Sequence, residues 1–194
     1  MISQLITYLE RYITLDSEEK QFLQSHILVK PIKKNQLLLW EGEVSSEFYF
    51  IIEGCIRMFY WVEGEEKTAF FYTENEFVSS YESFTKHIPA RHSLQAVEDT
   101  TVAIISSEQA QAMLLKYPKF EFLARVAMEQ ELSVYQDIIA SFITQNAEQR
   151  YQALSKSKPQ LLQRIPQYQL ATYLGVSPET LSRIRKRISN KKLS

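Results

Sequence analysis

Residues 175–192 read GVSPETLSRIRKRISNKK, and this stretch decides how the C-terminal part of the chain folds. Gly175 stands where a preceding helix would need a residue with positive φ in order to end. Ser177 is a typical N-cap residue, and Pro178 suits the first helical position, where its missing N–H has no consequence. The stretch therefore predicts a tight turn followed by a capped helix.

A second helix is expected before the turn, at residues 168–174, and both helices have an apolar side. The apolar residues recur at helical spacing and would form a shared core: Leu170, Ala171, Leu174, Leu181, Ile184 and Ile188. A helix, a glycine turn and a capped basic helix together predict a helix-turn-helix. The residues expected to contact DNA are Ser177, Glu179, Thr180, Ser182, Arg183, Lys186, Arg187 and Lys191.

The side chains of the second helix match the chemistry of the DNA major groove. Arg183 lies four residues after Glu179 and therefore projects from the same face. Arginine can donate two hydrogen bonds to guanine, and glutamate can accept one from cytosine. Lys186, Arg187 and Lys191 lie at or beyond the end of this base-facing segment and are expected to contact phosphate.

The charge distribution supports this interpretation. Residues 150–194 contain ten lysines or arginines and one acidic residue, whereas residues 1–149 contain 12 basic and 22 acidic residues. A basic segment attached to an acidic body is typical of polyanion binding. A solvated basic face without any partner would have the same composition and is the alternative.

The rest of the chain predicts an α+β protein. The first quarter predicts short helices, one of them opened by a capping box of Asp16 and Glu19. Residues 47–78, EFYFIIEGCIRMFYWVEGEEKTAFFYTENEFV, are rich in aromatic and β-branched residues and contain the turn pairs Glu53-Gly54 and Glu63-Gly64. Such closely spaced strands favour an antiparallel barrel or roll, whose aromatic residues would form its core.

A long helix is predicted after the roll, because neither proline nor glycine occurs between Lys119 and Lys158. Residues 155–159, SKSKP, are expected to break the helical run. Apolar residues follow one another at spacings of 4, 3, 4 and 3 and form an a/d seam: Met128, Leu132, Tyr135, Ile139 and Phe142. The seam predicts a dimer contact, and an ordinary core helix packed on the roll is the alternative.

Several other functions do not fit the sequence. A single cysteine, Cys55, excludes an internal disulfide and an iron–sulfur cluster, and the three histidines lack zinc-ligand spacing, so no metal or cofactor is expected. No nucleophile–base arrangement or phosphate-binding glycine loop is present, so the chain is not expected to be an enzyme. Without an apolar run of about 18 residues or a secretory signal, a cytoplasmic location is expected.

Residues 173–188, YLGVSPETLSRIRKRI, resemble the recognition segment of the Crp/Fnr transcription regulators. The whole chain is similar to their plan, which implies residues 1–113 as an effector-sensing domain, residues 114–146 as a dimerisation helix and residues 147–194 as the DNA-binding domain. The resemblance implies N-terminal helices and a cyclic nucleotide-binding-like β-roll of jelly-roll type. It also implies a homodimer on a palindromic DNA operator, with Glu179 and Arg183 as base readers.

The resemblance further implies RNA polymerase and a small-molecule effector as partners, but the effector pocket departs from the family pattern. The cyclic AMP receptor proteins hold their nucleotide with a Gly-Glu pair and an Arg-Ser pair. Ser79-Ser80 stand at the first place, with Glu82 two residues further along an expected strand, and Arg91 and Ser93 stand near the second. These five residues mark the candidate pocket, and cyclic AMP is not expected to bind. A ligand-binding or protein-interaction module without sequence-specific DNA binding is the second hypothesis.

Overall fold

The structure is a computed structural model that describes residues 2–191, apart from the side chain of Lys191. Within this part the chain forms two compact units. The first contains the residues up to Met58 together with Phe71–Glu131. The second contains Phe59–Phe70 and the residues from Leu132 onward.

Two short helices open the chain, α1 (Ile2–Leu9) and α2 (Ser17–His26). The N–H of Glu19 donates to the Asp16 carboxylate at 2.9 Å, and the Asp16 N–H donates back to Glu19 at 2.8 Å. This reciprocal pair satisfies two N–H groups that a helix start leaves without partners. The predicted capping box is confirmed.

Antiparallel strands follow and build the predicted roll. Their bounds are β1 Leu28–Ile32, β2 Leu37–Leu39, β3 Glu47–Glu53, β4 Ile56–Val62, β5 Glu65–Tyr72, β6 Phe77–Val78, β7 Ser93–Ala96 and β8 Thr100–Ser106. One sheet has the order β1-β8-β3-β6, with antiparallel pairing between each set of neighbours. The other has the order β2-β7-β4-β5, in which β2 and β7 are antiparallel. A short helix, α3 (Tyr81–Lys86), lies between β6 and β7.

Glycines shape both predicted turns of the roll. Gly54 has φ 105°, and a Cβ at this position would lie 2.7 Å from the Cα of Thr100, so no side chain fits there. Glu63 and Gly64 have φ values of 55° and 80°. Two consecutive positive φ values are typical of the two-residue turn that best matches the twist of a β-hairpin.

The core of the first unit lies between α1, α2, β3, β8 and the beginning of the long helix. Phe50 and Ala103 are fully buried in this cluster, which also contains Leu5 and Leu23 from the N-terminal helices. Cys55 is also fully buried. The predicted aromatic core is largely confirmed, since Tyr49, Phe59, Phe70, Phe71 and Tyr72 are buried, whereas Tyr60 and Trp61 are exposed.

The helical run after the roll is divided, which corrects the prediction of one helix reaching residue 158. The observed helices are α4 (Ser107–Lys116), α5 (Lys119–Thr144) and α6 (Ala147–Ser157). The Asn146 side chain accepts from the Gln149 N–H at 3.0 Å, and the Gln149 side chain accepts from the Asn146 N–H at 2.9 Å. This capping box starts a new helix without any proline or glycine. The predicted break at residues 155–159 is confirmed by the end of α6.

The chain continues with α7 (Leu161–Arg164), α8 (Gln167–Tyr173) and α9 (Pro178–Lys191). Buried apolar residues of these helices and of α6 form the core of the second unit: Tyr151, Leu154, Leu161, Ile165, Leu170, Ala171, Leu174, Leu181 and Ile184. In the same unit, the Thr68 N–H donates to the Thr172 hydroxyl at 3.2 Å. The hairpin segment Phe59–Phe70 is thereby connected to α8.

Candidate functional site

The turn between α8 and α9 has the geometry that its sequence predicts. Gly175 has φ 70°, and its N–H donates to the carbonyl of Thr172 at 3.0 Å. The Val176 N–H donates to the carbonyl of Ala171, also at 3.0 Å. These two bonds form a Schellman motif, which ends α8 and satisfies two of its last carbonyls.

The start of α9 is capped as predicted. The Thr180 N–H donates to the Ser177 hydroxyl oxygen at 3.3 Å, and the Leu181 N–H donates to the Ser177 carbonyl at 3.0 Å. Pro178 is the first residue of α9. The helix therefore begins at a fixed residue, and this sets the direction of every side chain after it.

The two faces of α9 separate apolar from polar residues. Leu181 and Ile184 are 0% and 6% exposed and provide its buried side. The predicted DNA contacts Ser177, Glu179, Ser182, Arg183, Lys186 and Arg187 are exposed, and Thr180 is half-buried. Lys191 is the last residue of α9, but its side chain lies outside the described residues. The structure thus brings most of the predicted contacts to one solvent-facing surface, which we call the α9 outer face.

Electrostatics favour the ionised form of Glu179 on this face. A hydrogen bond to its own backbone N–H lowers the pKa of the Glu179 carboxyl, and the Ser177 hydroxyl and the charge of Arg183 lower it further. Arg187 donates to Glu148 of α6 at 2.7 Å, so its guanidinium forms an ion pair within the protein. Sequence spacing alone did not indicate this pair. An arginine has five N–H donors, so the ion pair leaves others for a phosphate.

The seam residues on α5 are mostly exposed in the single chain. Met128, Leu132, Ile139 and Phe142 have exposed fractions of 44%, 57%, 60% and 47%. Tyr135 is half-buried, and its ring meets that of Phe70 edge-on at a centroid distance of 5.5 Å. Four large apolar side chains on one exposed helix face are typical of a surface that a partner covers.

The structure divides the five candidate pocket residues between the interior and the surface. Ser80 and Ser93 are buried and Ser79 is half-buried, and the Ser93 hydroxyl accepts from the Glu41 N–H at 3.0 Å. Glu82 and Arg91 are exposed, and their side chains approach each other only to 3.9 Å.

The expectation that Glu82 continues a strand is wrong, because it lies on α3. Six residues are too few for helical periodicity to be visible in the sequence. Glu82 accepts from Lys86, one helical turn later, at 3.0 Å. This hydrogen bond is the main cause of the lowered pKa of the Glu82 carboxyl.

The roll contains a buried arginine that the sequence did not predict. Arg57 on β4 is 2% exposed, and its Nε and Nη2 both donate to the side-chain carbonyl of Gln95 at 2.9 and 2.6 Å. Gln95 in turn donates to the carbonyl of Asn35 at 3.0 Å. An arginine between the apolar neighbours Ile56 and Met58 in a strand was the available signal, because charged side chains are seldom buried without hydrogen-bond partners.

Residues 2–191 offer neither a metal site nor a membrane-spanning helix. No group of three or more histidine, cysteine or acidic side chains in this part is arranged to hold a metal ion. No helix of the same part has the length and apolar character needed to cross a membrane. His26 stacks on the ring of Phe22 at 4.1 Å.

Comparison with known proteins identifies one matching family model and several similar transcriptional activators. Residues 29–117 match the family model of the cyclic nucleotide-binding domain. The transcriptional activator protein Anr of Pseudomonas protegens is 26% identical over 177 residues, which cover 84% of this chain and 71% of that protein. The transcriptional activator protein FnrA of Stutzerimonas stutzeri is 26% identical over 168 residues, which cover 80% of this chain and 68% of that protein.

Solved structures share the fold. The c-di-GMP responsive global regulator CLP of Xanthomonas campestris superposes with a TM-score of 0.73 at 16% identity, covering 92% of this chain and 94% of that one. FixK2 of Bradyrhizobium japonicum superposes with a TM-score of 0.71 at 15% identity, covering 86% of each chain. At these identities the superpositions establish a common fold and nothing more specific.

Proposed function

We propose that the chain is a transcription regulator of the Crp/Fnr type, which acts as a homodimer whose two α9 helices read an inverted-repeat operator. The observation that carries the proposal is the α9 outer face. It is held by a capped start and a buried apolar side, and it presents Glu179 and Arg183 to solvent. A helix of this kind fits the major groove, where its N-terminal residues reach base edges.

Different charged residues of α9 are suited to base reading and to phosphate binding. Arg183 has the fork of donors that pairs with guanine, and the ionised Glu179 accepts from cytosine. Lys186 lies further along the exposed side of the helix. A lysine there neutralises phosphate and releases counterions, which strengthens binding to every sequence alike.

Dimerisation supplies the symmetry of the operator. The exposed seam residues Met128, Leu132, Ile139 and Phe142 would be covered by the same face of a second α5. Two parallel copies related by a two-fold axis place their recognition helices in successive major grooves, about 34 Å apart. An inverted repeat with half-sites about 10 base pairs apart follows from this geometry.

The roll is proposed to respond to a signal other than cyclic AMP, or to serve as a scaffold. Ser79-Ser80 provide no carboxylate for a ribose hydroxyl, and Glu82, two residues further along, is bound to Lys86. The Arg91 side chain is 79% exposed, so water would compete strongly for any phosphate that it meets. We propose no catalytic step for the chain, a cytoplasmic location, and RNA polymerase as a further partner.

The proposal is tested by selecting bound sequences from a random DNA pool with the wild type, Arg183→Ala and Lys186→Ala. The wild type should select an inverted repeat. Arg183→Ala should lose discrimination at one symmetric base-pair position, by about 1–3 kcal/mol, because its bidentate contact is gone. Lys186→Ala, the matched loss of one charge, should weaken binding to all sequences and lower the salt slope by about one unit.

Two results would contradict the proposal. A wild type that enriches no sequence, or that binds DNA without dependence on salt, would favour an interaction module that does not read DNA. An Arg183→Ala variant that selects the wild-type operator with full stringency would show that α9 does not read bases through this residue.

A further inference from the structure

Arg150, in the first turn of α6, binds the ends of two other helices. Its Nη1 donates to the carbonyl of Gln145, the first residue after α5, at 2.6 Å. Its Nη2 and Nε both donate to the carbonyl of Leu174, just after α8, at 2.7 and 3.3 Å. The guanidinium also lies over the ring of Phe142 on α5, 4.3 Å from its centroid.

These two carbonyls need a donor from outside their own helices. The last carbonyls of a helix have no intrahelical N–H, and they carry the negative end of the helix dipole. At the end of α8, the Schellman bonds take the carbonyls of Ala171 and Thr172, and the Leu174 carbonyl receives the guanidinium instead. A cation at two helix C-termini is therefore favourable in charge as well as in hydrogen bonding.

The same turn of α6 also holds the recognition helix. Glu148 accepts from Arg187 of α9 at 2.7 Å, and its side chain is only 18% exposed. Gly175 lies close to Phe142 and Arg150, since a Cβ at this glycine would be 3.0 Å from Phe142 and 3.5 Å from Arg150. Residues 145–150 thus connect the end of α5 with both helices of the helix-turn-helix, and we call them the α6 clasp.

We propose that Arg150 is a positioning residue that fixes the angle between α5 and the helix-turn-helix, and so sets the spacing of operator half-sites that the dimer accepts. The inference rests on the proposed function, because it needs a dimer joined along α5 that reads DNA with α9. The planar fork of arginine suits the role, since it reaches both carbonyls at fixed angles. Lysine offers a single point charge on a flexible stem and cannot bond both with this geometry.

The expected effect follows from the geometry of DNA. Each base pair added between half-sites moves them apart by about 3.4 Å and rotates one against the other by about a tenth of a turn. If the connection between α5 and α9 is rigid, the affinity for the altered operator falls, because the α9 helix of the second protomer no longer meets its groove. A loosened clasp lets each helix-turn-helix follow its own half-site, so the penalty becomes smaller while base preference inside the half-site stays the same.

The experiment measures affinity for a set of operators that share the half-site selected by the wild type and differ in spacing by one or two base pairs in either direction. Arg150→Gln removes the guanidinium, and Arg150→Lys keeps the charge without the fork. Lys156→Gln is the matched control, since it removes one positive charge from the exposed side of the same helix. Thermal unfolding of each variant shows whether it is folded.

The wild type and Lys156→Gln should each lose about tenfold in affinity for one added base pair, and Arg150→Gln should lose about threefold or less. Arg150→Lys should fall between them. Each expected loss is the ratio of the affinities of one protein for two operators. A variant that is partly inactive binds both operators more weakly by the same factor, so this ratio stays unchanged.

Each remaining outcome overturns the inference. It fails if a folded Arg150 variant keeps the spacing profile of the wild type, or if both variants fail to fold, which would make Arg150 a folding residue. If the wild type selects no inverted repeat, the proposed function fails first and the inference fails with it. The selection with the wild type distinguishes this case from a failure of the inference alone.

Discussion

Replacing Gly175 by alanine should weaken both the fold of the second unit and its binding to DNA. An alanine at φ 70° adopts the left-handed region, which costs about 1–2 kcal/mol for a residue with a Cβ. The new Cβ would also stand 3.0 Å from Cε1 of Phe142. The Phe142 ring is half-exposed and can move by a few tenths of an ångström, so this contact should add less than about 1 kcal/mol.

Gly64→Ala is the matched control, because it lies in the same unit. Gly64 has φ 80°, and a Cβ there would meet nothing within 4 Å. Both variants therefore pay for the left-handed backbone, and only Gly175→Ala also disturbs Phe142 and the neighbouring Arg150. A difference of 1 kcal/mol shifts the unfolding midpoint of a small domain by about 4–8 °C.

The assay combines thermal unfolding followed by far-UV circular dichroism with a DNA titration at fixed salt. Gly64→Ala should unfold earlier than the wild type and bind DNA with unchanged affinity once folded. Gly175→Ala should unfold earlier still and bind more weakly at temperatures where it is folded. If Gly175→Ala matches Gly64→Ala in stability and the wild type in affinity, the turn is not packed against the end of α5 in the way described.

Three further predictions concern the seam, the roll and a half-buried histidine. Ile139→Asp should yield monomers, because it puts a charge into the proposed dimer contact, and a wild type that sediments as a monomer at micromolar concentration would contradict the seam. Cyclic AMP at millimolar concentration should leave the melting temperature unchanged, whereas a ligand at 100 times its dissociation constant would stabilise the fold by about 2.7 kcal/mol. Burial lowers the pKa of His92 below its usual 6.5. The unfolded chain therefore binds more protons there, so stability should fall as the pH drops below about 6.5. His92→Gln should reduce this pH dependence; equal slopes for wild type and His92→Gln would refute the assignment.

The helix-turn-helix could be predicted from the sequence because its determinants are local. A capping serine, a proline at the first helical position and a glycine at the left-handed position each act within four residues. The apolar stripe of α9 follows the helical period, and Leu181 and Ile184 are buried as that period requires. The roll was predictable for the same reason, since its turns contain Gly54 and Gly64 and its strands are rich in aromatic residues.

The break between α5 and α6 is not marked by proline or glycine, and only the family resemblance, which implies a dimerisation helix ending at residue 146, indicated it. Asn146 followed by Gln149 is a capping-box pattern, and neither residue resembles the proline or glycine that usually marks the end of a helix. Sequence spacing gave no comparable signal for Arg150. Its two acceptors include a carbonyl 24 residues away, and such a contact depends on how α8 packs beside α6.

Function at the roll was the least predictable part. The five candidate pocket residues follow only from their place in a family pattern, and the structure distributes them between the interior and the surface. Burial of Arg57 depends on the strand pairing that brings it to Gln95, 38 residues away. Base readout by Glu179 and Arg183 remains a prediction from helix geometry.

The burial of Cys55 gives the wild-type chain its own chemical reporter. The sequence has one cysteine, and that side chain is 0% exposed beside the Gly54 turn. A thiol reagent can modify it only when this region opens, so the labelling rate measures the free energy of local opening. A compound that binds the closed roll must slow labelling in proportion to its occupancy. Small-molecule libraries or cell extracts can therefore be screened for the effector on the unmodified protein, without knowledge of its operator.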